Sequence, residues 1–417
     1  MNFLFICPSP GTLGGVETLI VRMSRWLVTN GHQVTLLVEN GDNWAELLPK
    51  TAQHVVLGGR FAELYYYYHA KRLWNSLGWP KPDVIKGFDF GSSWIATQFG
   101  AMFGGGCKVI AGMYGPAAFK WYFAPESLRP WSSAKIILGN YLNNIPASAR
   151  VFCGVDQIEE LEEVHGQKAI LWPIPIDTSE FDPALRRPKW GKIVSIGRFS
   201  AMKEYNFYMI DIVRELRAKG LDVSWSVYGH GEYEPAMRAQ IKKQGLEGVI
   251  SIEGTVPYRH FRRVLEDAYI FVGMGTSVLE AALFKVPNVN ALAYDREGKT
   301  TGPVYRFPRG SIGPGISAPA TLKVVDEIER ILRLNPEAYR EEAERVGSHV
   351  EIHEMEKSMN CFLQVVRDAE PVRYRRSLFL ANYPLWLVRR VATSFVRTRK
   401  RGHPESSQLL INSKAQN

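Results

Sequence analysis

Two successive runs of alternating apolar strands and amphipathic helices constrain the fold of this chain more than any other feature. The first run opens with a strand at Asn2–Cys7, continues with a helix whose apolar residues fall on one face, and returns in a strand at 34–38. The second run starts with a strand at Lys192–Ile196 and alternates as far as the helix after Thr276. Apolar strands separated by helices indicate parallel sheets covered on both faces. Each run therefore predicts one doubly wound α/β domain.

The two runs are separated by a Pro-rich, charged stretch at 182–188, which is typical of a linker. A length of 417 residues suits two domains of ordinary size. Two such domains are expected to face each other across one cleft, and ligands of such sheets lie at the carboxyl ends of the strands. The sequence predicts a first domain at 1–184 and a second domain at 189–350. A helix at 351–370 is expected to pack back on the first domain, and a basic amphipathic tail follows at 371–417.

The positive charge of the chain lies in this tail. Residues 371–417 hold ten Lys or Arg residues and one Glu, which accounts for the whole net charge of +9. Because the first 370 residues sum to about zero and no recognition motif accompanies the charge of the tail, we expect no nucleic-acid partner. Aromatic and aliphatic residues between the tail arginines favour an amphipathic segment on an anionic membrane surface. A helix docked on the first domain, followed by a basic end, is the alternative.

The sequence predicts a location in the cytoplasm, peripheral on the inner face of the membrane. The four cysteines are far apart and form no Cys-x-x-Cys pair, which fits a reducing compartment. The apolar run at Phe3–Cys7 is too short for a signal peptide, and no basic segment precedes it. No stretch reaches the ~18 uninterrupted apolar residues of a spanning helix.

Three loops of the second domain fall where strands are predicted to end. The first contains Gly197, which lets a ligand approach the backbone, and two cations, Arg198 and Lys203. Charge-assisted contacts from such groups contribute roughly 1.5–3 kcal/mol each. The loop is therefore a candidate site for an anionic ligand.

The other two loops are rich in glycine. One contains Gly229 and Gly231, and the other contains Gly275, Thr276 and Ser277 at the start of a helix, where backbone amides favour an anion. Glu280 lies one turn into that helix and can accept hydrogen bonds from both hydroxyls of a ribose. Each loop alone is also explained as a tight turn or a solvated charge pair, but all three in order favour a nucleotide site.

At these residues the chain resembles the family 4 glycosyltransferases, which are retaining enzymes with two facing Rossmann-like domains, the GT-B fold. The resemblance covers about 1–370 and is best at 1–38 and 192–292. In the first half, residues 10–17 resemble the family's glycine-rich first loop, and residues 31–34 resemble the entry to its second strand. In the second half, Gly197 and Arg198 with Lys203 resemble the element that holds the donor diphosphate, and residues 273–287 resemble the Glu-x7-Glu segment.

The resemblance implies transfer of a sugar from a nucleoside diphosphate sugar to a glycan or lipid-linked glycan in cell-surface polysaccharide synthesis, such as lipopolysaccharide. Arg198 and Lys203 are then the catalytic cations, and the donor site is made by Gly197, Arg198, Lys203, Gly229, Gly231, Gly275, Thr276, Ser277 and Glu280. The acceptor and phosphate-loop residues are Gly14, Gly15, Tyr114 and Gly115. The chain has no Asp-x-Asp pair, so we expect no metal and no cofactor besides the donor substrate.

Two positions depart from the family's pattern. Val272 stands where the first glutamate of the Glu-x7-Glu segment would fall, and Gly115 stands where a histidine near the transferred sugar is expected. An alternative to an enzyme therefore stays open: a catalytically silent relative that binds a nucleotide or a glycan and serves as a scaffold. An epimerase of the same fold is a third possibility, but acid and base groups near the sugar cannot be placed for it.

Overall fold

The computed structural model describes residues 1–7, 14–39, 45–58, 64, 67–103, 107–114, 133–179, 182–257, 260–314 and 319–372. It shows two parallel sheets, each covered by helices on both faces. The fold class predicted from the sequence is thereby confirmed. Residues 373–417 of the predicted tail at 371–417 lie outside the described residues, so its binding to a membrane stays a prediction.

The first domain is built on a seven-stranded parallel sheet with the order β3-β2-β1-β4-β5-β6-β7. The strand order reverses between β1 and β4, which places the topological switch point at the carboxyl ends of these two strands. The strands are β1 Asn2–Cys7, β2 Gln33–Val38, β3 Gln53–Val56, β4 Val84–Gly87, β5 Lys108–Met113, β6 Arg150–Phe152 and β7 Ile170–Leu171. Its helices are α1 Gly15–Thr29, α2 Tyr67–Leu77, α3 Phe90–Phe103, α4 Ser133–Asn144 and α5 Val155–His165.

The second domain repeats this design with a five-stranded parallel sheet in the order β10-β9-β8-β11-β12. Here the switch point lies between β8 and β11. The strands are β8 Lys192–Ile196, β9 Ser224–Tyr228, β10 Ile250–Ile252, β11 Ile270–Gly273 and β12 Asn288–Asn290, followed by the short antiparallel pair β13 Lys299–Thr300 and β14 Leu322–Lys323. The helices are α6 Tyr205–Ala218, α7 Glu234–Lys243, α8 Phe261–Leu265, α9 Thr276–Leu283, α10 Val324–Leu332 and α11 Pro336–Val350.

The last described helix, α12 Met355–Asp368, packs on the first domain although it follows the second in sequence. Phe362 lies against Phe3 and Trp172, with ring centroids 6.3 and 5.3 Å away. The indole of Trp172 donates to the carbonyl of Ser358 at 3.1 Å. The outgoing and returning segments of the chain run side by side, since Ile176 and Glu354 form a parallel bridge.

A buried lysine lies beneath this helix. Lys86, on β4, donates to the Tyr114 hydroxyl at 2.7 Å and has four aromatic rings with centroids 5.0–5.2 Å from Nζ. Burial lowers the pKa of Lys86 to about 7. The hydrogen bond and the ring faces compensate part of the cost of removing the ammonium group from water.

The linker predicted at 182–188 is attached to the second domain. Arg186 donates to the carbonyl of Ala268 at 2.6 Å and to that of Lys285. The backbone amide of Arg187 donates to the carbonyl oxygen of Glu266 at 2.8 Å. The linker residues are therefore fixed by hydrogen bonds to one domain, and the crossing between the domains lies before them.

Candidate functional site

The candidate site lies at the switch point of the second sheet. Strands β8 and β11 are parallel neighbours, paired through Ile270 with Ile193 and Phe271 with Val194. Their carboxyl ends therefore meet at one edge, and the segments that leave them, 197–203 and 274–276, lie next to each other. Clefts at such switch points bind the ligands of doubly wound domains.

Gly197 leaves room for the side chain of Lys203. A Cβ atom added at Gly197 would collide with Lys203 Nζ and would lie 3.0 Å from the Tyr205 hydroxyl. A single 3₁₀ turn, Ala201–Lys203, brings the lysine back over the strand exit, with its amide donating to Ser200 at 2.7 Å. The glycine predicted to admit a ligand thus also admits the lysine.

Lys203 lies within electrostatic reach of both Arg198 and Glu280. Burial, followed by the nearby Arg198 guanidinium, lowers the pKa of Lys203 to about 8, while Glu280 acts in the opposite direction. The Arg198 side chain is exposed, whereas Lys203 is partly buried. The structure therefore brings together the three charged residues that the sequence predicts to hold the two ends of a nucleotide.

Helix α9 starts directly beside these cations. Gly275 precedes it with φ of 70°, a left-handed conformation that favours glycine, and Thr276 is its first residue. The Ser277 hydroxyl donates to the Met274 carbonyl at 3.2 Å, so this side chain stabilises the turn. The helix start adds partial positive charge to the edge of the sheet where Arg198 and Lys203 lie.

Glu280 is buried and forms an ion pair with a residue of the other domain. Its Oε1 accepts a hydrogen bond from Arg22 Nη2 at 2.6 Å, and the side chains of Arg22 and Glu280 are only 8% and 4% exposed. Burial raises the pKa of Glu280, although Arg22 and then Lys203 act to lower it. The sequence does not predict Arg22 as a site residue; its one unusual feature is a charge between Val21 and Met23 on a largely buried helix.

Gly229 and Gly231 are close to the site but contact its backbone. The backbone amide of Gly197 donates to the Tyr228 carbonyl oxygen at 2.9 Å, and the backbone amide of Phe199 donates to the His230 carbonyl oxygen at 3.0 Å. A Cβ atom at Gly229 would overlap the carbonyl of Gly197, and one at Gly231 would overlap that of Phe199. In the structure these glycines fix the shape of the loop that carries Arg198 and Lys203.

The first-domain candidates are divided between the start of α1 and the core. Gly14 precedes α1, and its amide donates to Glu17 Oε2 at 3.0 Å; Gly15 has open space where a side chain would be. Tyr114 lies in the core with its hydroxyl bonded to Lys86, and so is not brought to the other site residues. Gly115 lies outside the described residues. Val272 is fully buried in the second domain's core.

The described residues contain neither a cluster of metal ligands nor a helix that could span a membrane. In that part of the chain, no group of three or more His, Cys, Asp or Glu side chains could hold a metal ion. No helix among the same residues is long and apolar enough to cross a membrane.

Solved structures similar to this one are glycosyltransferases. A glycosyltransferase from Rickettsia africae has a TM-score of 0.61 at 14% identity, covering 88% of this chain and 97% of that one. Anabaena HepE, in complex with UDP and glucose, has a TM-score of 0.60 at 12% identity, covering 88% and 99%. The apo form of the lipopolysaccharide outer core galactosyltransferase WaaB has a TM-score of 0.56 at 12% identity, also covering 88% and 99%. The chain has the GT-B fold.

The family comparison is more specific than the fold. Residues 13–180 match the model of Glycosyltransferase Family 4. No curated protein sequence matches the chain. The resemblance to family 4 inferred from the motifs is confirmed, and the chain is a GT-B glycosyltransferase whose first domain has the family 4 sequence pattern.

Proposed function

We propose that this glycosyltransferase moves a sugar from a nucleoside diphosphate sugar to a hydroxyl of a glycan or lipid-linked glycan, with retained anomeric configuration and without a metal. The observation that carries the proposal is the convergence of Arg198, Lys203 and Glu280 at one switch point. The cations suit a diphosphate and the carboxylate suits a ribose, so the three residues match the two ends of one activated nucleotide.

The chemistry assigned to these residues is electrostatic. As the bond between the sugar's anomeric carbon and the diphosphate oxygen breaks, its electron pair goes to the diphosphate. Arg198, Lys203 and the amino end of α9 lie where this charge develops, and such preorganised stabilisation lowers the barrier. The acceptor oxygen then bonds to the anomeric carbon, and its proton leaves to a departing phosphate oxygen. Placing the acceptor near Gly14 and Gly15 of the facing domain leaves the cations free for the donor.

The biological setting belongs to the same proposal. Synthesis of a surface polysaccharide on the inner face of a membrane suits a lipid-linked acceptor, and a structural neighbour, WaaB, is a lipopolysaccharide galactosyltransferase. Attachment of 371–417 to anionic lipid stays a prediction from the sequence. The location in the cytoplasm, peripheral on the membrane, is proposed on the same grounds.

A screen of donors tests the function directly. We expect one of UDP-, GDP-, ADP- or TDP-sugars to raise the thermal unfolding temperature of the full chain and to be turned over when membrane extract supplies acceptors. Failure of all four to bind would contradict the donor site. Binding without transfer or hydrolysis would favour the scaffold alternative, which the buried Val272 supports because an apolar core residue stands where a glutamate is expected.

Donor affinity is expected to fall as the pH rises above about 8. Lys203, whose pKa is lowered to about 8 by burial and Arg198, is protonated below that value and loses its charge above it. Since the diphosphate favours the protonated amine, the loss approaches about tenfold per pH unit. Calorimetry with a nucleotide sugar from about pH 7 to about pH 9.5 measures this slope, and Lys203→Arg should flatten it because arginine stays charged. Equal slopes in the two proteins would contradict the assignment.

A further inference from the structure

We propose that Arg22 of the first domain is a positioning residue for the ribose site of the second domain. The inference rests on the proposed function, in which Glu280 binds the ribose hydroxyls. Arg22 acts by holding the Glu280 carboxylate ionised and aimed, so that the ribose site is complete only when the two domains are in contact. No contact between Arg22 and the nucleotide is required.

The pair joins the helices that start at the two halves of the cleft. Arg22 lies two turns into α1, which begins at Gly15, and Glu280 lies one turn into α9, which begins at Thr276. Both side chains are buried, and the 2.6 Å hydrogen bond between them crosses the domain boundary. An ion pair with less than a tenth of each side chain exposed is shielded from solvent and salt, unlike a surface pair.

A second contact of the Arg22 guanidinium, to the carbonyl of Pro175, fixes the orientation in which Arg22 holds the Glu280 carboxylate. Its Nη1 donates to the carbonyl of Pro175 at 3.3 Å, in the segment that leaves the first domain, while Nη2 donates to Glu280. A guanidinium is a planar fork, so contacts at both of its ends fix its plane. Arg22 contacts Oε1 of Glu280, and the second carboxylate oxygen is left for a ribose hydroxyl.

Arg22 also supplies the charge that Glu280 needs when a donor is bound. Two cations oppose the effect of burial on the Glu280 carboxyl group, Arg22 first and Lys203 second. In the proposed complex Lys203 is engaged by the diphosphate, whose negative charge offsets that of the lysine. Arg22 is then the cation that keeps the buried carboxylate ionised and able to accept hydrogen bonds.

Two other roles of Arg22 predict different results from a positioning role. If Arg22 instead competes with the ribose for Glu280, removing it should strengthen nucleotide binding. If Arg22 only holds the domains together, removing it should affect all nucleotides alike. A positioning role predicts a loss confined to nucleotides that have ribose hydroxyls.

The experiment compares a ribonucleoside diphosphate with its 2′,3′-dideoxy form, using whichever of UDP, GDP or ADP the wild-type chain binds most tightly. We expect Arg22→Gln to weaken the ribo form about tenfold or more and the dideoxy form less than about twofold, so that the preference for ribose nearly disappears. Arg22→Lys keeps the charge without the fork, and should show a preference between those of the wild type and Arg22→Gln. Arg25→Gln, an exposed position on the same helix, is the matched control and should behave as wild type.

The outcomes separate this inference from the proposed function. If the wild type binds no nucleoside diphosphate, the proposed function fails before Arg22 is tested. If it binds, an unchanged ribose preference in Arg22→Gln, or tighter binding of the ribo form, overturns the inference and leaves the donor site standing. Should Arg22→Gln not fold, Arg22→Lys decides alone, because a wild-type preference in that variant also overturns the proposal.

Discussion

Replacing both Arg198 and Lys203 with alanine is expected to lower affinity for the nucleoside diphosphate donor by at least about 100-fold. Each charge-assisted contact to a phosphate contributes roughly 1.5–3 kcal/mol, and about 1.4 kcal/mol corresponds to a tenfold change. The two residues lie at the same strand exit, and Lys203 interacts electrostatically with Arg198. Calorimetric titration of the donor into wild type and double variant measures the loss.

The control must remove the same charge elsewhere on the second domain. Lys242→Ala with Lys243→Ala takes two exposed cations from the end of α7 and should leave the affinity unchanged. Thermal unfolding of both double variants shows whether the fold is retained. Wild-type affinity in the Arg198 and Lys203 variant would remove the basis of the donor site.

Among the substitutions proposed for this chain, Gly229→Ala is expected to lower the free energy of unfolding the most. The added Cβ atom would overlap the backbone carbonyl of Gly197, and no side-chain rotation can relieve a contact between two backbone-attached atoms. Overpacking of this kind costs about 3 kcal/mol, which corresponds to a fall of roughly 6–12 °C in unfolding temperature for a domain of this size. We expect donor affinity to fall as well, because the strained segment carries Arg198 and Lys203.

The matched control for this glycine is Gly248→Ala. Gly248 is exposed, and a Cβ atom added there meets nothing within 4 Å. Thermal unfolding followed by circular dichroism should show little change for Gly248→Ala and a clear fall for Gly229→Ala. Similar unfolding temperatures for the two variants would mean that the loop adjusts, and that Gly229 is not needed for its shape.

Much of the second domain follows from sequence patterns alone. The strand Lys192–Ile196 is found at its predicted bounds. The helix expected after this strand is observed at Tyr205–Ala218. Both are clear in the sequence because a short apolar run and an amphipathic stripe are local signals. The order of strands and helices then sets which loops meet, since connections in parallel sheets follow one handedness.

Elements without a local signal are missed. Helix α3 is buried along its whole first part, from Phe90 to Gly100, so this part has no exposed polar face to mark a helical period. Strand β3 is a short edge strand whose four residues are mostly exposed and begin with Gln53 and His54, so it does not form an apolar run. The sequence predicts neither element.

The candidate site divides in the same way. Arg198, Lys203 and Glu280 are predicted because each lies next to a strand end that the pattern reveals. Arg22 is missed because its partner is 258 residues away, and no local pattern reports such a contact. The packing roles of Gly229 and Gly231 are also missed, since a glycine that approaches a ligand and one that approaches the backbone look alike in sequence.

The return of α12 to the first domain has a consequence for how the nascent chain matures. Phe3 and Trp172 emerge from the ribosome long before Phe362, the ring that covers them both. Lys86 likewise lacks its fourth aromatic neighbour, Phe362, until that residue has been synthesised. The half synthesised first is therefore completed last, and residues 192–350 can reach their native packing while the first domain still lacks the helix that covers Phe3, Lys86 and Trp172.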